Sequence, residues 1–594
     1  MSLQSFISAG ITLVLALPSL LLSPDTQSPS PTVVETLEFT SEELFPELKT
    51  QAVTAGEPYT FVSTAIAAPV PFNVLIPAWR GSGNPKLSVR TSLDGKIWHE
   101  WQRLQPNEDW AEPGSEWAVG DMVLVAGARE TDRYIQLRLE LKPVTTRPAG
   151  DNLENIRLTL IDSTNGPTAA ELTAIQSDLD AAKGPQTTNG YPKPPVISRE
   201  AWCTEPGCVY QEALEHAPVT HLIMHHTVTA NDNADWAAVV SAIWAFHTRR
   251  NGWRDIGYNY LIDPNGVIYE GHAGGDDVVG IHASAANKGS MGVGLLGTFS
   301  GPPAGIQPPP PMLEAAVNLL AWKADQRDIN VFESSRTLPN VSWGLPHLMG
   351  HRDVNGSTEC PGDQSHLLIP WLRDQVAARI SLSDSHLYAD EMSSAFTRSS
   401  TGNWYTPPYL CGYNNHAWFT WTTMNPAEST NWGEWRLAIP SEGRYRIEAY
   451  VPYCITNRSE TRGATYSILH ADGTSSPTIS HVDNLGLWTS LGEYHLRPGS
   501  DMVVRLTDLT PTDKDVGIWF DALRVLRLDE SCYFADFDCD NEVDINDVQQ
   551  VAGRWGKTAG QPGYEVKYDV AQPIGEIDIF DVQLVASVWG WPED

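Results

Sequence analysis

Basic residues are scarce in this 594-residue chain, which holds 39 lysines and arginines against 73 aspartates and glutamates, for a formal net charge of −34. The balance argues against nucleic acid as a partner, because nucleic-acid-binding proteins present a basic surface. The acidity suits calcium binding and solubility. Hydrophobic residues make up 41% of the sequence, which is ample for packed cores. At ~100–200 residues per domain, the length predicts about three to five domains.

Long apolar runs are also lacking. Residues 11–22 form an apolar run of signal-peptide length that is too short to span a bilayer, and we find no spanning membrane segment elsewhere. The first ten residues hold no Lys or Arg, and no clear cleavage site follows. Residues 23–32 are rich in Ser, Pro and Thr, as flexible tethers are. We predict that residues 1–32 are a signal- or anchor-like segment with a tether, and that the protein is secreted or extracellular, with cell-surface association as an option.

Cysteine is infrequent, with seven residues in the whole chain. If Cys360 is reserved for a metal, the other six fall into three pairs, and we predict the disulfides Cys203–Cys208, Cys411–Cys454 and Cys532–Cys539. Free thiols are the alternative. Disulfides would place the protein outside the cytosol.

Hydrophobic periodicity predicts a multidomain chain. The predicted parts are a β-sandwich over 33–165, a linker over 166–195 with a helix at 169–182, an α/β domain over 196–380 with a mixed sheet and flanking helices, a Trp-rich β-sandwich over 385–528, and a small α-helical module over 533–594. In the first sandwich, Asp94-Gly95 predicts a hairpin turn between strands at 87–92 and 97–101.

His351 and Cys360 share one short loop, and both offer atoms that zinc prefers. The nearest credible third ligand is upstream, where His225 and His226 lie in a segment predicted as a buried strand. Adjacent strand residues point to opposite faces, so we expect one of the two to reach the metal. Three protein ligands leave a fourth position for water, which is the catalytic arrangement. The alternative is an ordinary buried thiol with core histidines.

Five motifs occur in order, at residues 224–227, 252–262, 266–271, 292–297 and 350–362. Together they resemble the zinc amidase family that includes phage lysozyme-type amidases and peptidoglycan recognition proteins. The resemblance implies zinc ligands His225, His351 and Cys360, with Tyr258 facing the zinc-bound water. It also places Thr358 where phage enzymes carry a catalytic Lys, and His282 and Asn287 at the substrate groove. The loop from His351 to Cys360 is one residue longer than in relatives.

The β-rich region over 385–528 resembles golvesin-type, carbohydrate-binding-like modules, which implies cell-surface glycans as partners, although its aromatic residues are as easily core. The tail repeats residues 543–552 as 577–586 and resembles a dockerin, which implies a cohesin-like partner. In the first copy, the aspartates follow the ligand spacing of a calcium-binding loop. We predict that they bind calcium: Asp536, Asp538, Asp540, Asp544 and Asp547. In the second loop Ala571, Gln572 and Pro573 replace acids, which predicts a weak or empty site.

The family resemblance implies a secreted zinc hydrolase that cleaves the amide bond between N-acetylmuramic acid and L-alanine in peptidoglycan, by attack of zinc-bound water. Two alternatives stand beside it. One is a non-catalytic peptidoglycan-binding or cell-surface adhesion protein with a silent amidase fold. The other is a zinc amide hydrolase with a substrate outside the cell wall. The intact set of three ligands favours the zinc hydrolase over both alternatives.

Overall fold

The computed structural model describes residues 32–49, 59–82, 85–106, 110, 115–125, 129–141, 152–183, 190–203, 207–208, 214–301, 305–356, 358–382, 386–400, 403–407, 410–454, 459–498, 501–528, 535–537, 543–559, 561, 563–565, 568–571 and 575–590. The segment 1–31, the predicted Cys532–Cys539 pair, and Asp538 and Asp540 lie outside these ranges. Over the part of the chain that is described, we find no helix with the length and hydropathy needed to cross a bilayer.

The first domain packs two antiparallel sheets face to face. Its elements are β1 Val33–Thr40, α1 Ser41–Leu44, β2 Tyr59–Val62, β3 Ile66–Phe72, β4 Val74–Ser82, β5 Lys86–Ser92, β6 Gln102–Arg103, β7 Ala118–Val119, β8 Val123–Leu124, β9 Asp132–Leu141 and β10 Asn152–Asp162. One sheet has the order β1-β10-β4-β7 and the other β2-β9-β5-β6, with β8 and β3 attached to β4 and β9. Alternate apolar residues of both sheets, including Leu75, Leu137 and Leu158, form the core between them.

The predicted strand over residues 97–101 is wrong. Asp94 accepts hydrogen bonds from the backbone N–H groups of Lys96 and Ile97, at 2.8 and 2.9 Å, which bends the chain away from β5. Ile97 is exposed. Trp101 then lies beneath the guanidinium of Arg90, at 4.5 Å. The His99 N–H still donates to the Thr91 carbonyl of β5, at 3.0 Å, but regular strand pairing resumes only at β6, because local side-chain contacts outweigh β propensity here.

The central domain is built on a mixed sheet with helices on both faces. Its elements are α2 Ala169–Lys183 in the linker, α3 Arg199–Trp202, β11 His221–His226, α4 Trp236–Ala245, β12 Tyr260–Ile262, β13 Ile268–Glu270, β14 Ser290–Leu295, α5 Pro310–Gln326, β15 Ser334–Ser335, β16 Leu345–Pro346, β17 Leu348–Gly350, α6 Arg352–Asn355, α7 Asp363–His366 and α8 Ile369–Arg379. The sheet order is β13-β12-β14-β11-β17, with only the β12–β13 pair antiparallel within it. Helices α5 and α8 cover one face and α4 the other. The helix predicted over 234–250 is divided, because a π-helical turn, Phe246–Arg250, follows α4.

The first sandwich and the central domain share a hydrophobic core. Val74, Ile76 and Ile161 of the sandwich belong to the same buried cluster as the apolar face of α4. Trp110 packs on Phe246 with ring centroids 5.0 Å apart. The Ser163 hydroxyl donates a hydrogen bond of 2.8 Å to the Ala238 carbonyl. The two regions are therefore packed as one body.

The third region is a second β-sandwich. Its strands are β18 His386–Ala389, β19 Phe396–Arg398, β20 Trp418–Trp421, β21 Trp432–Ala438, β22 Gly443–Val451, β23 Ala464–His470, β24 Gly473–Ser475, β25 Thr478–Ile479, β26 Leu487–Leu496, β27 Asp501–Thr507, β28 Gly517–Phe520 and β29 Leu523–Arg527. One sheet is ordered β18-β29-β22-β26 and the other β19-β21-β27-β23-β24, with a separate β20-β28 pair. Arg524 of this sandwich forms an ion pair of 2.8 Å with Glu333 of the central domain.

Two short helices, α9 Ile545–Ala552 and α10 Ile579–Ser587, form the described tail. The N-termini of the two helices have the same capping arrangement. Asp544 and Asp578 are the N-caps, and each forms a capping box with the aspartate three residues later. Asp547 accepts a hydrogen bond from the Phe537 N–H, at 2.6 Å, and Asp581 accepts one from the Ala571 N–H, at 2.8 Å. Asp536 is buried.

Two of the predicted disulfides are confirmed. Cys203 is bonded to Cys208, and Cys411 to Cys454. Cys360 lies outside both bonds and is buried.

Candidate metal centre

Strand β11 carries both candidate histidines through the middle of the sheet. All six residues of the strand are buried between the parallel neighbours β14 and β17. His226 points to the face where its Nδ1 accepts a hydrogen bond from the Phe299 N–H, at 3.3 Å. His225 points to the opposite face, towards His351 and Cys360. The alternation of strand side chains therefore brings one histidine of the pair into the cluster.

The loop with the other two ligands is anchored at both ends. The His351 N–H donates to the Met224 carbonyl of β11 at 3.0 Å, and the Arg352 N–H donates to the Cys360 carbonyl at 2.8 Å. Arg352 also forms an ion pair of 2.7 Å with Asp363. Our sequence reasoning missed this pair, although Arg352 directly follows His351 and Asp363 lies three residues after Cys360. Between the anchors, α6 is capped at its C-terminus by Gly356, whose φ of 61° is the left-handed conformation that favours glycine.

The three predicted ligands come together. His225, His351 and Cys360 each offer a ligand atom, and these atoms all lie within 4.8 Å of one another. The Cys360 Sγ lies 3.5 Å from the His225 Nδ1. Burial, together with the neighbouring imidazoles, holds the pKa of His225 well below its usual value, which keeps the ring neutral as a metal ligand must be. Two imidazoles and one sulfur suit zinc.

His282 lies against His225, one of the predicted ligands. Its Nδ1 is 3.0 Å from the His225 Nε2, and its Nε2 is 3.4 Å from the Ser290 hydroxyl. The ring fits because residue 292 is glycine, where a Cβ would lie 2.5 Å from the His282 Cγ. Burial lowers the pKa of His282 to about 3, so a neutral ring can hydrogen-bond the His225 nitrogen that faces away from Cys360. Such a partner fixes the orientation of a ligating histidine.

Asn287 has a structural contact that our groove assignment did not foresee. Its Oδ1 accepts hydrogen bonds from the N–H groups of His282 and Ala283, at 2.8 and 2.6 Å. It also lines a surface groove, together with Arg254, Gly280, Ile281, Ser284 and Lys288. Asn287 therefore ties the wall of this groove to the segment that holds His282.

Tyr258 is buried on the same side as His225, with ring centroids 5.2 Å apart. Its hydroxyl donates to the His226 carbonyl at 3.4 Å. Glycine at residue 294 makes room for the ring, because a Cβ there would lie 3.0 Å from it. The segment before Tyr258 is held by a buried ion pair of 2.5 Å between Arg199 and Asp255. No spacing pattern pointed to this pair, since the partners are far apart in sequence.

Thr358 lies two residues before Cys360 and is half-buried. Its Oγ1 accepts a hydrogen bond of 2.9 Å from the Cys360 N–H. The hydroxyl proton remains available for one hydrogen bond to another group, but the side chain brings no positive charge.

Two family models match this sequence. The model for N-acetylmuramoyl-L-alanine amidase covers residues 215–363, and the model for the Golvesin C-terminal domain covers residues 388–527. Peptidoglycan-recognition protein SC1a/b of Drosophila simulans is 32% identical over 169 residues, which are 28% of this chain and 80% of that protein. Peptidoglycan recognition protein 1 of Bos taurus is 29% identical over 177 residues, 29% of this chain and 82% of its own. The solved structure of Drosophila PGRP-LB wild-type is 30% identical, covers 29% of this chain and 89% of that chain, and has a TM-score of 0.23.

Proposed function

The chain belongs, through its central domain, to the family of peptidoglycan recognition proteins and N-acetylmuramoyl-L-alanine amidases, and from that premise we propose that it is an active amidase. The proposed reaction is hydrolysis of the amide bond between N-acetylmuramic acid and L-alanine in peptidoglycan. The observation that supports it is the convergence of His225, His351 and Cys360, a complete zinc-binding set with no fourth protein ligand among the described residues.

The proposed mechanism divides the work among these side chains. When bound, zinc activates water and polarises the scissile carbonyl. His225, His351 and Cys360 hold the ion, and His282 fixes the orientation of the His225 ring through their 3.0 Å contact. The Tyr258 hydroxyl exchanges its long bond to the His226 carbonyl, 3.4 Å, for a hydrogen bond to the negative charge that develops on the substrate carbonyl oxygen.

Thr358 has a smaller part. Its bond to the Cys360 N–H stabilises the loop, and its hydroxyl donates at most one hydrogen bond to the substrate. A lysine in the same place would add a positive charge. More of the electrostatic stabilisation therefore falls on the metal and on Tyr258.

The test is incubation of the full-length protein with purified peptidoglycan, followed by mass analysis of the released fragments. We expect stem peptides with a free L-alanine amino group, loss of release when a chelator removes zinc, and recovery when zinc is returned. Cys360→Ser is the matched control. Binding of peptidoglycan without release, by protein shown to contain zinc, would support the non-catalytic alternative instead.

For the two C-terminal regions, the proposals are a glycan partner and a calcium-dependent tail. In the second sandwich Trp435 and Trp519 are buried in the core, whereas Tyr405 and Trp421 are exposed with ring centroids 6.5 Å apart. An exposed aromatic pair supports glycan binding by this surface. The likeness of the two helix starts in the tail supports the calcium-loop interpretation, with a cohesin-like partner. The two disulfides support a secreted or extracellular location.

A further inference from the structure

Three acidic side chains meet in the second sandwich, where it faces the central domain. Asp390 and Glu391 directly follow β18, and Asp521 lies between β28 and β29. Because β18 pairs antiparallel with β29, with Ala389 opposite Leu523, the two segments are neighbours. Each acid offers a carboxylate oxygen, and these oxygens all lie within 4.8 Å of one another.

One carboxylate oxygen of these three acids accepts no hydrogen bond from the described residues. Asp390 accepts from the Met392 N–H and from the Asn414 side-chain amide, each at 2.8 Å. Glu391 is fully buried, and its Oε1 accepts from the His416 Nδ1 at 2.7 Å. Its Oε2 is buried and has no hydrogen-bond partner within the described residues.

Asp521 accepts from the backbone N–H groups of Ala522, at 2.7 Å, and Tyr413, at 3.2 Å. Over the described residues, no lysine or arginine lies within ion-pair distance of any of the three acids.

The negative charge of the three acids is therefore not balanced by a lysine or arginine among the described residues. Burial, followed by repulsion from Asp390, raises the pKa of Glu391 to about 9. Burial and repulsion from Glu391 raise the pKa of Asp521 well above its usual value. Burial also lowers the pKa of His416, so its ring supplies no fixed positive charge. Two buried carboxylates beside a third that is half-buried need either protons or a cation.

We propose that Asp390, Glu391 and Asp521 bind a hard divalent cation, with calcium as the ion to test. All the ligand atoms are carboxylate oxygens, which calcium prefers and zinc sites rarely use alone. Oxygens that bind one calcium at 2.3–2.6 Å can lie up to about 5 Å apart, which suits the observed spacing. The buried Oε2 of Glu391 is the group that this ion would satisfy.

The loop beside the acids gives the cation a structural role. Cys411 is tied to Cys454, and Gly412 has a φ of 97°, with a Cβ there meeting Asp521 Oδ2 at 3.0 Å. Tyr413 donates its N–H to Asp521 and accepts, through its carbonyl, a hydrogen bond of 3.2 Å from Arg373 of the central domain. We infer that the ion fixes the loop over residues 411–416 against the central domain.

This loop is connected to the candidate metal centre. Arg373, which binds the Tyr413 carbonyl, also donates a hydrogen bond of 2.9 Å to the Leu348 carbonyl. Leu348 begins β17, the strand that leads directly into His351. The calcium site thus stabilises the packing of the second sandwich on the strand that positions a zinc ligand.

The test measures bound calcium in the full-length protein after equilibrium dialysis at fixed free calcium and pH 7, by elemental analysis. Glu391→Gln keeps the side-chain shape and removes the charge, and Glu428→Gln, an exposed residue of the same sandwich, is the control. All variants keep the same tail, so differences between them report this site alone. We expect Glu391→Gln to bind one calcium fewer per chain than the wild type and Glu428→Gln. Equal calcium contents would overturn the proposal and show that the acids share protons instead.

A second measurement covers the case in which Glu391→Gln does not fold. The Trp435 indole donates a hydrogen bond of 2.9 Å to the Asp521 carbonyl, so it lies beside the proposed site. Terbium bound there should luminesce on tryptophan excitation and be displaced by calcium, and Trp435→Phe should remove the part of this calcium-sensitive signal that the site contributes beside that of the tail. Asp390→Asn should weaken the terbium signal as well. A calcium-sensitive signal that is unchanged in both variants would overturn the proposal.

Discussion

The two clusters of potential metal ligands differ in the charge that they hold when no ion is bound. Burial and the neighbouring imidazoles hold the pKa of His225 well below its usual value, so this ring adds no charge to the cluster with His351 and Cys360. Asp390, Glu391 and Asp521 are three acids, and the burial of the Glu391 and Asp521 carboxylates is unfavourable until a proton or a cation arrives. The first cluster is therefore suited to reversible chemistry at an open ion, and the second to a permanent structural ion.

The largest effect that we predict is the loss of hydrolysis on substitution of Cys360, and its absence would break this comparison. Cys360→Ser removes the only sulfur of the cluster, and we expect hydrolysis of peptidoglycan to become undetectable while the fold is retained, because an open catalytic site does not hold the domain together. Product mass analysis and circular dichroism measure the two effects. Glu428→Gln should keep full activity. Wild-type turnover by the Cys360→Ser protein would show that the cluster is not the catalytic centre.

The next largest effect is at Tyr258. Tyr258→Phe should keep its zinc and lose about 10²–10³-fold in kcat, which is the scale of one lost hydrogen bond to a developing oxyanion. Tyr260→Phe is the matched control, since Tyr260 begins β12 two residues after Tyr258 and its hydroxyl donates to Asp276 instead. If both phenylalanine variants have the same kcat, Tyr258 has no part in the reaction.

A substitution at His282, which contacts the predicted ligand His225, sharpens the comparison. His282→Ala removes the ring that contacts the His225 Nε2, and we expect zinc affinity to fall about 10–100-fold, as for other partners of ligating histidines. Competition with a fluorescent chelator measures this affinity. Ser290→Ala should have the smaller effect, because Ser290 contacts only the far nitrogen of His282. Unchanged zinc affinity in His282→Ala would show that the contact does not position His225.

The two clusters also show which parts of the protein the sequence could predict. His351 and Cys360 are close in the chain and Tyr258 lies in a recognisable motif, so spacing and resemblance were enough to propose them. Asp390 and Asp521 become neighbours only through the pairing of β18 with β29, which no local pattern reveals. The same holds for Arg199 and Asp255. The predicted strand at 97–101 failed for a different reason, since the Asp94 side chain bends the backbone there.

The smallest effects are expected in the tail, where two aspartates form a natural matched pair. Asp547 and Asp581 make the same hydrogen bonds at the starts of α9 and α10, but only the first loop has the full set of acids. In the full-length protein carrying Glu391→Gln, Asp547→Asn should weaken calcium binding more than Asp581→Asn, as measured by titration calorimetry. Hydrolysis should be unchanged in both. Equal losses of calcium affinity would contradict the calcium-loop interpretation of the tail.

The core shared by the first sandwich and α4 limits how evolution and protein engineering can rearrange this chain. Nine of the ten residues of α4 are buried, and Val74 and Ile161 of the sandwich share their cluster, so an excised central domain would expose apolar surface around this helix. A newly exposed apolar face of this kind promotes aggregation. The first sandwich is therefore not an independent domain that could be exchanged without changing the central domain. The smallest piece that we expect to stay soluble begins near residue 32 and runs through α8.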